Sequence, residues 1–202
     1  YIDITSTGNH SVTFATLSAG TYSEVTITLT DAAGNASELS LTAFEIDVIS
    51  PTVAEVTPIS SPGNDTTPTV TFSTNETGTL TTSMSEGFES GASIDITSTG
   101  NHSVTFATLS AGTYSNVTLT LEDAAGNASE LSLTAFEIDV TSPTMAEVTP
   151  VGSPGFDTTP SVTFSTDKIG TLTTNRTEGF VNGAYIDITS TGNHSVTFAT
   201  LS

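Results

Sequence analysis

The sequence contains no cysteine and no tryptophan, and its only strongly basic residues are Lys168 and Arg176. Without cysteine, no disulfide can brace the fold and no thiol can act in catalysis or bind a metal. No apolar run approaches the roughly 18 residues that a membrane-spanning helix requires. The sequence therefore excludes a disulfide scaffold and a thiol enzyme, and it predicts no helical membrane span.

The sequence is strongly acidic: it has 22 aspartates and glutamates but only two lysines and arginines, and its net charge is −20. A nucleic-acid backbone or an anionic lipid surface would be repelled, so we expect neither as a partner. Two interpretations of the acidity remain. It can serve solubility in an extracellular or saline setting, or some carboxylates can bind a hard cation such as Ca²⁺.

What the sequence does contain is a long repeat. Residues 2–22 recur letter for letter at 94–114, and residues 2–18 recur again at 186–202. Ile2, Ile94 and Ile186 are each 92 residues apart. This period is longer than solenoid units of roughly 20–50 residues and has the size of a small domain. We therefore expect the function to depend on the tandem repetition of one domain.

The linker signature DVISPT at 47–52 returns as DVTSPT at 139–144. Proline there extends the preceding residue and removes a backbone donor, as in a taut connector. We predict three parts: the C-terminal half of a module at 1–48 (strands D–G), a complete module at 49–140, and the N-terminal part of a third at 141–202 (strands A–E). We expect a window on a longer polypeptide, or ends completed by a neighbouring chain.

Apolar residues alternate with period two, which predicts an all-β fold with about seven strands per module in two packed, Greek-key sheets, arranged end to end. On strand G, Leu131 and Leu133 differ in parity from Phe136 and Ile138, which predicts a bulge. The predicted strands of the complete module are A 53–57, B 68–74, C 78–84, D 93–97, E 103–108, F 115–122 and G 130–139.

Four motifs in this order and spacing resemble the bacterial immunoglobulin-like repeats of large surface adhesins, especially those exported by type I secretion. They are Ser142 to Thr144, Asn64 to Pro68, Ala111 to Tyr114, and Asp123 to Asn127. The resemblance implies a stiff extracellular stalk on the bacterial cell surface, with calcium at the joints between domains and an adhesive region at its far end. Some relatives carry a cysteine pair that this chain lacks.

The tyrosine of an immunoglobulin fold lies two residues before an inward residue of strand F. Here Tyr114 lies three residues before Val117. Either a bulge intervenes or Tyr114 points outward.

The joints are where carboxylates from several loops should meet. In a seven-strand sandwich the B–C and F–G turns lie at the end that receives the incoming linker. At the first joint we predict a Ca²⁺ site from Asp47, Glu76, Asp123 and Asn127. At the second we predict that Asp139 meets Asp65 and Asp167. Oxygen ligands converging from several loops are what Ca²⁺ requires.

Turn formation competes with metal binding at each of these positions. Asp123 and Asn127 are common hairpin residues, and Asp65 can hold its own turn. No EF-hand or nonapeptide calcium repeat is present in the sequence. Calcium and turn stabilisation both remain open.

Catalysis is not expected. His10, His102 and His194 are one histidine seen three times, and no nucleophile and base accompany it. One histidine per module cannot build a zinc site, and we interpret it as a solvent-facing turn residue. Phe88 and Phe180 lie in the C–D connection, where they could anchor a contact or tuck over a sheet edge.

The copies differ most between residues 75 and 93, where nine of the 19 mismatches fall when 1–110 is laid over 93–202. Two of them, Glu76→Lys168 and Met84→Arg176, supply the only basic residues. Surface drift and a module-specific lateral contact both explain this cluster.

We therefore expect a non-enzymatic extender repeat that contacts neighbouring repeats of its own chain. The alternative is a subunit of an extracellular filament or matrix, assembled through inter-chain contacts or through strand complementation between modules. A third possibility is a ligand-binding module that uses the variable stretch.

Overall fold

The computed structural model describes residues 2–153 and 155–201. Within these residues the regular structure consists of β-strands, and no helix is long and apolar enough to cross a membrane. The described residues form the strands β1 Gly20–Tyr22, β2 Thr26–Thr30, β3 Ala36–Ser40, β4 Phe44–Ile46, β5 Val53–Thr57, β6 Thr69–Thr74, β7 Gly78–Thr82, β8 Ser93–Ile96, β9 Gly100–Thr105, β10 Gly112–Tyr114, β11 Thr118–Glu122, β12 Ala128–Ser132, β13 Phe136–Ile138, β14 Met145–Thr149, β15 Ser161–Thr166, β16 Gly170–Thr173, β17 Tyr185–Ile188 and β18 Gly192–Thr197.

The chain divides into two compact units, 1–140 and 141–202. The first unit contains the predicted parts 1–48 and 49–140, and the second begins where the third part was predicted to begin. The three-part division itself stays a prediction.

Residues 49–140 form two antiparallel sheets of three and four strands and, in addition, the two-stranded sheet β10-β13. One has the order β5-β6-β9 and the other the order β12-β11-β7-β8. The strands alternate between polar and apolar residues, so each sheet has one apolar face, and the two faces pack together. The all-β, immunoglobulin-like sandwich is thereby confirmed. Members of the core from both sheets are Val70, Phe72, Leu80, Ile96, Val104, Leu119 and Leu121.

The predicted strand F (115–122) corresponds to β11, and the sequence did not predict β10, which precedes it. The predicted strand G (130–139) is divided between β12 and β13. β10 pairs with β13, whereas β11 pairs with β12 and β7. Asn116 lies at the break with a φ of 61°. In place of a simple bulge in strand G, residues 133–135 carry the chain from one pairing to the other. Both apolar parities of strand G are then buried.

Tyr114 does not point outward, and the strand is interrupted between Tyr114 and Thr118. It packs against the core with its ring stacked on Phe136 at 5.1 Å between centroids. Its hydroxyl donates to the carbonyl oxygen of Ser110 at 2.8 Å. The irregularity at Asn116 supplies the extra residue that the spacing to Val117 requires.

Two other predictions about aromatic residues are now resolved. Phe88 tucks over the sheet, buried and stacked on Phe106 at 5.6 Å. His102 was expected in a solvent-facing turn, and that was wrong. It lies within β9, half-buried, with its ring 5.8 Å from that of Phe72. The β9 strand begins at Gly100, three residues earlier than predicted, and takes the histidine into the sheet.

The other parts of the chain are less complete. In 1–48, β1 pairs with β4 and β2 with β3. In 141–202, the order β14-β15-β18 forms one sheet and β16-β17 another. A small core of Phe164, Phe180, Ile188 and Val196 lies between the strands of this second unit.

Candidate metal centre

Three segments of the unit 1–140 meet at one end of the sandwich. Asp47 follows β4 at the start of the linker, Glu76 lies in the turn between β6 and β7, and Asp123 opens the turn between β11 and β12. One carboxylate oxygen from each of the three lies within 4.8 Å of the others. That separation is about twice the 2.3–2.6 Å of a Ca²⁺–oxygen bond, so a single ion could contact all three. The three carboxylates are thus brought together as the strand order predicted.

The turn from Asp123 to Asn127 is held by the aspartate itself. Asp123 Oδ1 accepts from the backbone N–H groups of Ala125 at 2.8 Å and Asn127 at 2.9 Å, and Oδ2 accepts from Asn127 Nδ2 at 2.9 Å. These hydrogen bonds, above all that from the Asn127 side chain, hold the pKa of Asp123 below its ordinary value. The turn-forming role is therefore present, and it keeps this carboxylate ionised and fixed in direction.

Asn127 connects that turn to the linker. Its Nδ2 also donates to the Asp47 carbonyl oxygen at 3.2 Å. In this arrangement the amide nitrogen faces the linker and the Asp123 carboxylate. Asn127 therefore positions the two aspartates, and its role as a ligand stays a prediction.

The linker is tied down at two further points. Asp47 Oδ1 accepts from the backbone N–H of Ile49 at 3.0 Å. Asn75 Oδ1 accepts from the backbone N–H of Thr52 at 2.6 Å. Sequence reasoning missed Asn75, because an asparagine in a B–C turn signals only the turn. Its position beside Glu76 was the available signal.

Glu76 is placed by the turn that it occupies. Thr74 is buried, and its Oγ1 donates to the Glu76 carbonyl oxygen at 2.9 Å and accepts from the Glu76 N–H at 3.2 Å. The half-buried Glu76 side chain receives a weak bond from Asn75 Nδ2 at 3.4 Å. A buried threonine thus fixes the backbone from which the Glu76 carboxylate reaches the other two.

The charge around these three carboxylates is one-sided. Residues 1–140 contain no lysine and no arginine. Three anionic groups at this separation repel one another and lack a basic side chain from their own unit. An oxygen-rich, anionic donor set of this kind fits a hard divalent cation such as Ca²⁺.

The second predicted set belongs to two units. Asp65 Oδ1 accepts from the N–H and Oγ1 of Thr67 at 2.8 and 3.1 Å, so it holds its own turn. The Asp139 N–H donates to the Gly63 carbonyl oxygen at 2.8 Å. A calcium site from Asp65, Asp139 and Asp167 stays a prediction.

Asp167 and Lys168 share a turn in the unit 141–202. Asp167 Oδ1 accepts from the backbone N–H of Thr144 at 2.7 Å. Hydrogen bonds from Thr144 contribute most to holding the pKa of Asp167 below its ordinary value, and the positive charge of Lys168 contributes least. Lys168 Nζ donates to the Thr141 carbonyl oxygen at 2.7 Å. This contact was missed, because a long side chain reaches a backbone atom that the sequence does not identify.

Comparison with known proteins agrees with this architecture. No curated protein matches the chain. Residues 61–140 match a family model described as a bacterial Ig-like domain. That domain is a non-catalytic structural fold, typical of surface and extracellular proteins. The match supports a bacterial immunoglobulin-like repeat over residues 61–140.

Proposed function

We propose that the chain is an extender segment of an extracellular bacterial adhesin, in which repeats follow one another and hold a distal binding region away from the cell. The proposal includes calcium at the linkers, type I secretion and a non-enzymatic role. The observation that carries it is the meeting of a linker carboxylate, Asp47, with Glu76 and Asp123 of the following module.

The repeat supports a mechanical role. Each 92-residue period begins with the same kind of linker and continues into the same strand pattern. The sandwich at 49–140 buries its own apolar core, so one module can be stable as a unit. Copying such a unit extends the length of a protein while the fold of each unit stays the same.

The charges support a cation-dependent linker. Without a cation, repulsion between Asp47, Glu76 and Asp123 opposes docking of the linker. Calcium, when bound, supplies the positive charge and oxygen coordination that these carboxylates require. An ion that binds only the docked linker stabilises that state by mass action. The segment would then be loose before export and stiffer outside the cell.

The test compares the 202-residue chain with calcium and with chelator. We expect calcium at about a hundred times its Kd to stabilise the unit 1–140 by about 2.7 kcal/mol. Small-angle scattering of the same samples should report a more extended, less variable particle with calcium. An identical melting curve and scattering profile in both conditions would remove calcium from the proposal.

A pair of variants separates this site from general charge effects. Asp47→Asn removes a proposed ligand, so its melting temperature should respond much less to calcium. Glu45→Gln removes an exposed carboxylate on β4, two residues away, and should keep the full response. Equal responses of the two variants would contradict the site.

The filament alternative has its own readout in these samples. Sedimentation of the 202-residue chain distinguishes monomers from ordered assemblies. Monomers at all accessible concentrations would favour the extender, and ordered fibres would favour the filament or matrix subunit.

A further inference from the structure

The turns at Glu76 and Lys168 are held by the same pair of hydrogen bonds from a threonine two residues earlier. Thr166 Oγ1 donates to the Lys168 carbonyl oxygen at 3.0 Å and accepts from its N–H at 3.3 Å. The matching bonds between Thr74 and Glu76 are 2.9 and 3.2 Å. Both side chains therefore leave equivalent positions, 92 residues apart, and differ in the sign of their charge.

The linker segments are also held in the same way at one point. The N–H of Thr52 donates to Asn75 at 2.6 Å, and the N–H of the equivalent Thr144 donates to Asp167 at 2.7 Å. The two turns differ in charge order. Asn75 and Glu76 carry one negative charge, whereas Asp167 and Lys168 carry a carboxylate followed by an ammonium group. In the second unit, that ammonium group bonds to the linker carbonyl of Thr141 at 2.7 Å.

We propose that the residue at this repeat position decides how the linker is held: a glutamate, as at 76, requires an external divalent cation, whereas a lysine, as at 168, supplies a built-in cation. The part concerning Glu76 rests on the proposed calcium function. The part concerning Lys168 rests on its own contact with Thr141.

The chemistry of the two cations is comparable at this position. Backbone carbonyl and carboxylate oxygens bind both Ca²⁺ and a lysine ammonium group, which is a compact positive charge with three donors. A lysine that is covalently part of the turn needs no free ion. The linker residues 141–144 should therefore stay on their own module whether or not calcium is present. One chain would carry linkers of both kinds.

Amide hydrogen exchange of Thr52 and Thr144 tests the proposal in the intact 202-residue chain. These amides occupy equivalent positions and donate to equivalent acceptors. With calcium at about ten times its Kd, we expect exchange at Thr52 to slow about tenfold relative to chelator. Exchange at Thr144 should be the same in both. A calcium response at Thr144 as large as that at Thr52 would overturn the proposal.

Substitution at Glu76 tests the built-in cation directly. In chelator, Glu76→Lys should slow exchange at Thr52 several-fold relative to Glu76→Gln, because both remove the carboxylate and only one adds an ammonium group. Equal exchange in the two variants would also overturn the proposal.

The two failures are distinguishable. If calcium has no effect on Thr52 in the unmodified chain but Glu76→Lys still exceeds Glu76→Gln, the calcium function falls and the role of the lysine stands. If calcium slows Thr52 and the two variants behave alike, the calcium function stands and the role of the lysine falls.

Discussion

Residues 2–22 and 94–114 have identical sequences but different structures in this chain. In the second copy, β8 and β9 pair with β7 and β6. In the first copy, no strand is present among residues 2–19. Burial follows pairing: Phe106 is 0% exposed and Phe14 is 46% exposed, while Val104 and Val12 are 5% and 40% exposed.

The third copy of this sequence shows whether local propensity or the neighbouring strands cause the difference. Its strands β17 and β18 pair with β16 and β15, and Val196 is again 5% exposed. In the second and third copies, the repeated sequence forms strands beside the strands that correspond to the predicted B and C. Local propensity is the same in all three copies, so the neighbouring strands decide whether this sequence becomes a sheet.

The largest expected effect comes from removing one phenylalanine in each environment. Phe106→Ala should destabilise the module 49–140 by about 3–5 kcal/mol, because it leaves a cavity beside Phe88. Phe14→Ala removes the same atoms from an exposed position and should change stability by no more than about 0.5 kcal/mol. Urea unfolding measures both, followed by the NMR signals of Leu80 and Leu119 in residues 49–140 and of Phe44 in residues 1–48. Similar costs would mean that Phe14 is packed in solution.

The sequence predicted much of the sandwich because alternation is a local property that survives in the fold. Val70 and Phe72 on β6 and Leu119 and Leu121 on β11 point inward as their parity required. The exchange of partners in strands F and G was not predictable in this way. It depends on Asn116 adopting a positive φ and on which strand lies opposite, and neither is encoded in an alternating pattern.

The candidate site was also predictable only in part. That Asp47, Glu76 and Asp123 meet follows from strand order, which places their segments at one end of the module. Contacts between polar side chains and backbone atoms cannot be predicted from strand order. Asn75 with Thr52, and Lys168 with Thr141, depend on the path of the linker and could be found only in three dimensions.

Gly78 and Gly170 are equivalent glycines in strands with different numbers of partners. β7 pairs with both β11 and β8, whereas β16 belongs to a two-stranded sheet with β17. In β7, a Cβ on Gly78 would overlap the backbone carbonyl of Glu122 in β11, whereas a Cβ on the equivalent Gly170 would have open space within 4 Å. Gly78→Ala should therefore cost about 1–3 kcal/mol by overpacking. Gly170→Ala should be close to neutral when urea unfolding is followed by the NMR signals of Leu172 and Ile188 in its own unit. A neutral Gly78→Ala would mean that β11 can move away from β7.

The smallest expected effect is a dependence of stability on pH at two equivalent turns, one beginning at Asp31 and the other at Asp123. Hydrogen bonds from the following asparagine side chain lower the pKa of both carboxyls from the ordinary value of 3.8. Since the folded pKa is the lower one, each carboxylate stabilises its turn above pH 3.8, and this stabilisation disappears as the pH falls through the folded pKa. Asp123→Asn should thus remove a stabilisation that is present at neutral pH and absent in acid.

Urea midpoints of the module 49–140, measured in chelator between about pH 5 and about pH 2, test this expectation. The difference between the unmodified chain and Asp123→Asn should be greatest at the upper end and shrink toward the lower end. Asp31→Asn alters an identical turn outside that module, so its midpoints should follow those of the unmodified chain at every pH. A urea midpoint for Asp123→Asn above that of the unmodified chain at about pH 5 would mean that repulsion from Asp47 and Glu76 outweighs the hydrogen bonds of the turn. Asp123 would then be held for cation binding at a cost to the stability of its own module.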